Sequence, residues 1–341
     1  MALQHTRLKG ITHVGKDSIT QNLKYSLIDF FRWSVLGIGG FQNITTSPAT
    51  SGVYGGDRAA LRSVTDPNYT DGQIWEGFRS DWVWETGIPT DNVSEQPIRV
   101  SGIYVGGVLN KVAPYKNDGL VSGSVGYVDY NKGRVVLDSA ISTTSTVTCE
   151  FSHRYVSFIP SDTPWFQQLM FDSYRIERDF PQTGSGNYAQ LSETRRHMPV
   201  VAIEIVPRRD FSGYQLGGGQ WLRQDVLFHI IAEREFDRDQ LIDIVSLQND
   251  KTLFLYDKNL IYESASFPVD LDYRGSPVPS AIMYPNIVAA TGTNIADYGH
   301  GGFRYKKVRL MDTAVYQMGQ IHPTLFGATI KTTAEVVMGE I

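Results

Sequence analysis

"MPVVAIEIVPRRDFSGYQLGGGQWLRQDVLFHIIAE", residues 198–233, is the stretch on which the fold turns. Val200 to Val206 is a near-continuous apolar run ended by Pro207, and from Trp221 onward the chain alternates. In an extended chain successive side chains point to opposite faces. Leu222, Val226, Phe228, Ile230 and Ala232 then share one face, and Trp221, Arg223, Asp225 and His229 the other. Gly217, Gly218 and Gly219 stand between these two runs. A phosphate cradle needs its glycines to lead into Lys and Ser/Thr at the start of a helix, and a dinucleotide fingerprint needs spaced glycines between strand and helix. Contiguous glycines running into Gln220 and a strand fit neither. The spacing predicts a long, protruding β-hairpin whose glycines serve shape.

Helical signals lie outward from this hairpin. In "DSITQNLKYSLIDFFRWSVLG", residues 17–37, Ser18 and Gln21 make a capping-box pattern. Ile19, Leu23, Leu27, Phe30 and Ser34 recur at helical spacing, with Gly37 as a stop. "FDRDQLIDIVSLQN" predicts a second helix with Asp237 as cap and a stripe through Leu241, Ile244 and Val245. "KTLFLYD" and the closing "TLFGATIKTTAEVVM" predict strands. The closing strand puts Phe326, Ala328, Ile330, Ala334 and Val336 on one face, with Lys331 and Glu335 on the other.

The middle of the chain changes character. Residues 97–158 carry short alternating runs such as "GYVDYNKGRVVLDS", with glycine turns between them, and predict an inserted β-sandwich-like domain. Residues 46–96, rich in Gly, Thr, Ser, Asp and Pro, predict a loop-rich connecting arm. Trp75, Phe78, Trp82 and Trp84 crowd into that arm. Core burial and a subunit-contact patch are both open for them, since Trp is enriched at interface anchors. The expected fold class is therefore α+β: a discontinuous body (residues 1–45 and 160–341) with a mixed or antiparallel sheet, flanking helices and a long hairpin, plus the inserted β-sandwich.

Composition narrows the function classes. The chain has 341 residues, 31 Lys plus Arg and 36 Asp plus Glu, for a net charge of −5. That balance argues against a dedicated nucleic-acid binder, though it suits a wall past which DNA slides without gripping phosphates. A lone Cys149 excludes an intrachain disulfide and a multi-cysteine zinc site, and reads as an inert strand thiol. The N-terminal "MALQHTRLKG" has no apolar signal region, and no apolar run reaches the length of a membrane span. Assembly in a cytoplasm is expected. The seven histidines show no paired ligand spacing, and no nucleophile elbow is present. Glu233, Glu235, Asp237 and Asp239 group at a strand-to-helix junction, where a cap explains them better than a hydrolase or a metal site. No cofactor, metal or catalytic residue is expected.

The element order then carries a resemblance. An N-terminal amphipathic helix, the Pro-led strand "PVVAIEIV", a long hairpin with "WLRQDVLFHIIAE" as its second strand, a helix opening at Asp237–Leu241 and a closing strand resemble the tail-terminator proteins of long-tailed bacteriophages. The resemblance covers residues 17–37 and about 195–338. Members of that family are commonly much smaller, and residues 38–194 have no counterpart in the minimal fold. The resemblance implies a virion protein forming a hexameric ring that caps the tail tube and joins it to the head connector. It implies contacts to tube, sheath and neck proteins, DNA passing nearby without sequence-specific binding, and no membrane. It places Arg208, Arg209, Tyr214, Gln215, Gln220 and Trp221 at a subunit or tube contact. Another neck position, or a host-receptor or glycan-binding module motivated by Trp75, Trp82 and Trp84, are the alternatives.

Overall fold

The computed structural model describes residues 18–46, 58–79, 81–84, 96–113, 122–130, 132–162, 198–213, 220–255, 307–322 and 325–338. They form mostly β-sheet with two helices, a broadly α+β fold. Helix α1 (Ile19–Gly37) starts where the capping pattern places it, the Ser18 hydroxyl accepting from the Gln21 amide at 3.4 Å. It is more deeply buried than its amphipathic pattern predicts: Asn22, Lys24, Ser26 and Asp29 are enclosed along with the apolar stripe. The reason is a second layer. A sheet covers one side, while Val83 and Trp84 cover another, Trp84 meeting Trp33 edge-on at 6.0 Å.

Beyond α1 the chain reverses tightly into β1 (Phe41–Ile44). The Gly40 amide donates to the Val35 carbonyl at 2.8 Å. A Cβ on Gly40 would lie 2.2 Å from Val35 Cγ1, so only glycine fits this approach.

A compact β unit follows. Strands β2 (Arg62–Val64) and β3 (Ile74–Glu76) precede β4 (Gly102–Val105), β5 (Val108–Lys111), β6 (Gly126–Asp129), β7 (Arg134–Leu137), β8 (Val147–Cys149) and β9 (Phe151–Arg154). They make a four-stranded sheet in the order β2-β3-β7-β6, a three-stranded sheet β5-β4-β8, and an antiparallel pair of β1 with β9. One apolar cluster is shared by these sheets, with Trp75, Trp82, Val135, Cys149 and Phe151 at its centre. The boundary differs from the sequence reading. Residues 59–84, expected in a connecting arm, supply two strands and two core tryptophans to this unit. Strands of three residues carry no detectable period, so the reading missed them.

The main sheet is six-stranded. Strand β10 (Ser157–Pro160) runs parallel to β11 (Val200–Gly213), and then β12 (Gln220–Ala232), β15 (Leu325–Met338), β14 (Lys307–His322) and β13 (Thr252–Phe254) follow antiparallel, the whole curling into a half-barrel. Helix α1 and helix α2 (Glu235–Ser246) cover one face. Phe31 there stacks on Phe158 at 5.2 Å and meets Phe228 edge-on at 5.4 Å. Burying each such ring contributes about 1.5–3 kcal/mol. The opposite face keeps a smaller apolar cluster of Ile159, Val200, Ala202 and Ile231.

The hairpin expectation needs revision. Strands β11 and β12 are as long as predicted, but β15 lies beside β12 from Gln220↔Met338 to Ala232↔Phe326. The pair is therefore part of a wide sheet, between β10 and β15, instead of a free arm. Its irregularity falls at Ile205–Arg209, around Pro207, where the Gln224 amide side chain reaches the Val206 carbonyl at 2.8 Å.

Candidate functional site

The face of the main sheet turned away from the helices carries a ladder of charge, in which Glu335 is buried and Arg223 and Arg309 are exposed. Register places Asp210, Arg223, Glu335 and Arg309 side by side on β11, β12, β15 and β14, alternating in sign. Arg223 Nε donates to Glu335 Oε1 at 2.9 Å, and Arg309 bonds Asp250 at 2.8 Å. Nearby, Lys331 Nζ meets Asp225 at 2.7 Å, and that hydrogen bond raises the Lys331 pKa above the ordinary lysine range. Further along, the His229 ring bonds Glu204 at 2.9 Å and the Thr329 hydroxyl at 3.2 Å. Cross-strand pairs of opposite charge stabilise a sheet by roughly 0.2–1 kcal/mol each. Their larger consequence is electrostatic: Arg208, Arg223, Arg309 and Lys331 all have a carboxylate within 3.8 Å. A phosphate approaching this face finds cations already neutralised.

The residues expected at a contact have different fates. Arg208 is highly exposed beside Asp210, at 3.8 Å. Arg209 does not reach outward, because its guanidinium bonds the Thr20 hydroxyl at the start of α1. Trp221 is half-buried, with the Arg223 guanidinium 5.6 Å over its ring. Gln220 opens β12. Tyr214, Gln215, the three glycines and the Gln220 side chain lie outside the described residues.

Of the two readings open for the four aromatics, core burial holds for Trp75 and Trp82. Trp75 and Trp82 are 2% and 1% exposed and belong to the core of the small β unit. Trp75 Nε1 donates to the Gly72 carbonyl at 2.9 Å, while Trp82 stacks on Phe151 at 4.3 Å. Trp84 is half-buried and packs against both apolar clusters, joining unit to body. Phe78 alone of the four is exposed, with Arg58 above its ring.

The acidic group at the strand-to-helix junction is likewise occupied. Helix α2 begins at Glu235 with Arg234 in the cap position, so Asp237 is inside the first turn and not the cap. Buried Asp237 accepts from the Tyr155 hydroxyl and from Arg234, whose pKa it raises. Burial, then this bond, pushes the Tyr155 phenol up. Arg238, 2% exposed, is held by Asp239 at 2.7 Å and Glu235 at 3.0 Å over the Phe326 ring. Burial works against its charge, and these carboxylates more than offset that, leaving its pKa raised. The Cys149 thiol is fully buried, which pushes its pKa up and keeps it protonated.

Two further features escaped the sequence reading. A hollow of about 480 Å³ opens on the small β unit between Ile103, Val105, Val108, Val125 and Leu137, rimmed by Asn110 and Asp138. The margin of β14 also exposes Val315, Tyr316 and Met318. Alternation could have flagged the second, since "TAVYQMGQIH" has the bias of a strand and no Asp, Glu, Lys or Arg. Among the described residues, no helix is long and apolar enough to cross a membrane. Comparison of the chain with family models, curated proteins and solved structures gives no match.

Proposed function

We propose that this protein is a structural subunit of a tailed-bacteriophage virion, the tail terminator, forming a hexameric ring that caps the tail tube and joins it to the head connector. The observation that carries the reading is the self-neutralised ladder Asp210–Arg223–Glu335–Arg309 on the face of a long-stranded, curled sheet opposite its two helices. Such a face suits the wall of a passage for DNA: it is polar, and Arg208, Arg223, Arg309 and Lys331 are each already paired with a carboxylate. The element order read from the sequence supports the same assignment. The ring is built by one heterologous contact repeated until the rotation closes.

A glycan-binding reading rested on Trp75, Trp82 and Trp84, and two of these are core residues. A hydrolase reading rested on four acids, of which Glu235, Asp237 and Asp239 here hold Arg234, Arg238 and Tyr155. Negative-stain imaging with mass measurement of the purified chain tests the proposal. Rings that bind tube ends are expected, whereas a strictly monomeric chain that never enters particles would overturn it.

A further inference from the structure

We propose that the hollow on the small β unit is a binding site for a small amphipathic amine, its apolar body held between two sheets and its ammonium group at the Asp138 carboxylate. The site lies wholly within that unit and is independent of the ring reading. Its first wall follows from register. Pairing of Val105 with Val108 and of Ile103 with Asn110 turns all four side chains to one face of β4 and β5. The second wall comes from the end of the facing sheet, where Val125, Leu137, Asp138, Ser139 and Ile141 gather. Past β5 the chain crosses to that sheet: the Val125 amide donates to the Lys111 carbonyl at 2.9 Å, and the Ala113 amide to the Gly126 carbonyl at 2.7 Å. The two walls are joined there and leave a hollow of about 480 Å³ between them. They are also preformed. The Asp138 amide donates to the Val125 carbonyl at 2.9 Å, and the Ile141 amide to the Gly72 carbonyl at 3.2 Å. Gly72 has a φ of 87°, and a Cβ there would run into the Ile141 carbonyl oxygen, so this approach requires glycine. Walls fixed in this way spare a ligand the cost of ordering them.

The lining selects the chemistry of the ligand. Ile103 and Leu137 are buried, while Val108 and Val125 are 66% and 37% exposed. Apolar walls open to water gain by taking an apolar group, and a volume of this size lies in the range of small-molecule pockets. The polar atoms at the rim are mainly acceptors. The Asn110 side chain donates to the Val108 carbonyl at 3.0 Å, which leaves its oxygen as an acceptor. Asp138 carries the only charge among the lining residues, and among the described residues no cation pairs with its carboxylate. Lys111 follows Asn110 in the chain, and strand alternation turns it to the other face of β5. A ligand bearing N–H donors and a positive charge is therefore matched to this rim. An anionic ligand meets the Asp138 charge with no cation on the walls to offset it.

The test is methyl NMR of the full-length chain, labelled at Ile, Leu and Val, titrated with phenethylamine and with hydrocinnamate, which share a ring and differ in charge. Phenethylamine is expected to shift the methyls of Ile103, Val105, Val108, Val125, Leu137 and Ile141, saturating at roughly millimolar concentration. Hydrocinnamate should bind roughly three- to tenfold more weakly. Asp138→Asn, at an exposed position, should bring the two affinities together. Val108→Arg, also at an exposed position, should abolish amine binding by adding a cation to the wall, with an unchanged melting temperature showing that the fold survives. No shift of these methyls by either compound up to about 20 mM overturns the site. Shifts centred on other methyls overturn it as well. Equal affinity for amine and carboxylate, or an amine preference that survives Asp138→Asn, overturns the assigned chemistry. None of these results bears on ring formation, which mass measurement reads separately.

Discussion

His153, on β9, is 4% exposed and faces Phe78 edge-on at 5.6 Å. Burial, followed by the neighbouring Arg79 charge, lowers its pKa to about 4. Between that value and the ordinary 6.5, the unfolded chain takes up a proton that the native chain refuses. Stability from this residue is therefore complete above the unfolded value and is lost as pH falls toward the folded one. The loss is about 3 kcal/mol at most. Denaturant unfolding from neutral to mildly acidic pH should show a falling midpoint, and His153→Gln should flatten it; an unchanged slope would count against this account. A second test at this scale concerns Asp237. Asp237→Ala leaves the Tyr155 hydroxyl and Arg234 without their acceptor, and should destabilise by about 1–3 kcal/mol in equilibrium unfolding. The sequence marked Asp237 as important for the wrong reason, since its true partner Tyr155 lies 82 residues away.

Helix α1 shows how much of an element is local. Its start was legible because Ser18 and Gln21 are one turn apart, and the amide of Gln21 needs no distant partner. Its enclosure was not, because Val83 and Trp84 reach it only through the fold. Phe31→Ala removes a ring packed between Phe158 and Phe228 and should cost about 3–5 kcal/mol, read from the chemical denaturation midpoint. Gly40→Ala should cost about 1–3 kcal/mol through its clash with Val35, with α1 retained by circular dichroism but its junction with β1 loosened in hydrogen exchange. Wild-type-like stability for Gly40→Ala would mean that the turn can open freely. Strands β2 and β3 are the opposite case, three residues each, placed by pairing with each other and with β7 and by the burial of Ile74 and Trp75.

The charge ladder belongs to the whole molecule, because its members come from four strands spread over residues 210–335. Its neutrality is expected to keep DNA from adhering. Asp225→Asn with Asp250→Asn removes the partners of Lys331 and Arg309 at a half-buried and an exposed position. That double variant should be retained on immobilised duplex DNA at low salt and released as salt rises, while the unsubstituted protein passes through. Strong, salt-sensitive retention of the unsubstituted protein would contradict the role proposed for this face.

The alternation of Leu222 to Ala232 and of Phe326 to Val336 determined which faces of two strands meet the core, a local property that needs only the two-residue period of an extended chain. The N-cap of α1 at Ser18 was likewise readable from neighbours in sequence. Register was not. Nothing local tells Arg223 that it will face Glu335, or Trp75 and Trp82 that they will sit inside a core and not on a surface. Those outcomes depend on which strands pair and how far they slide. That choice is made by burial summed over the whole sheet, which only the tertiary structure expresses.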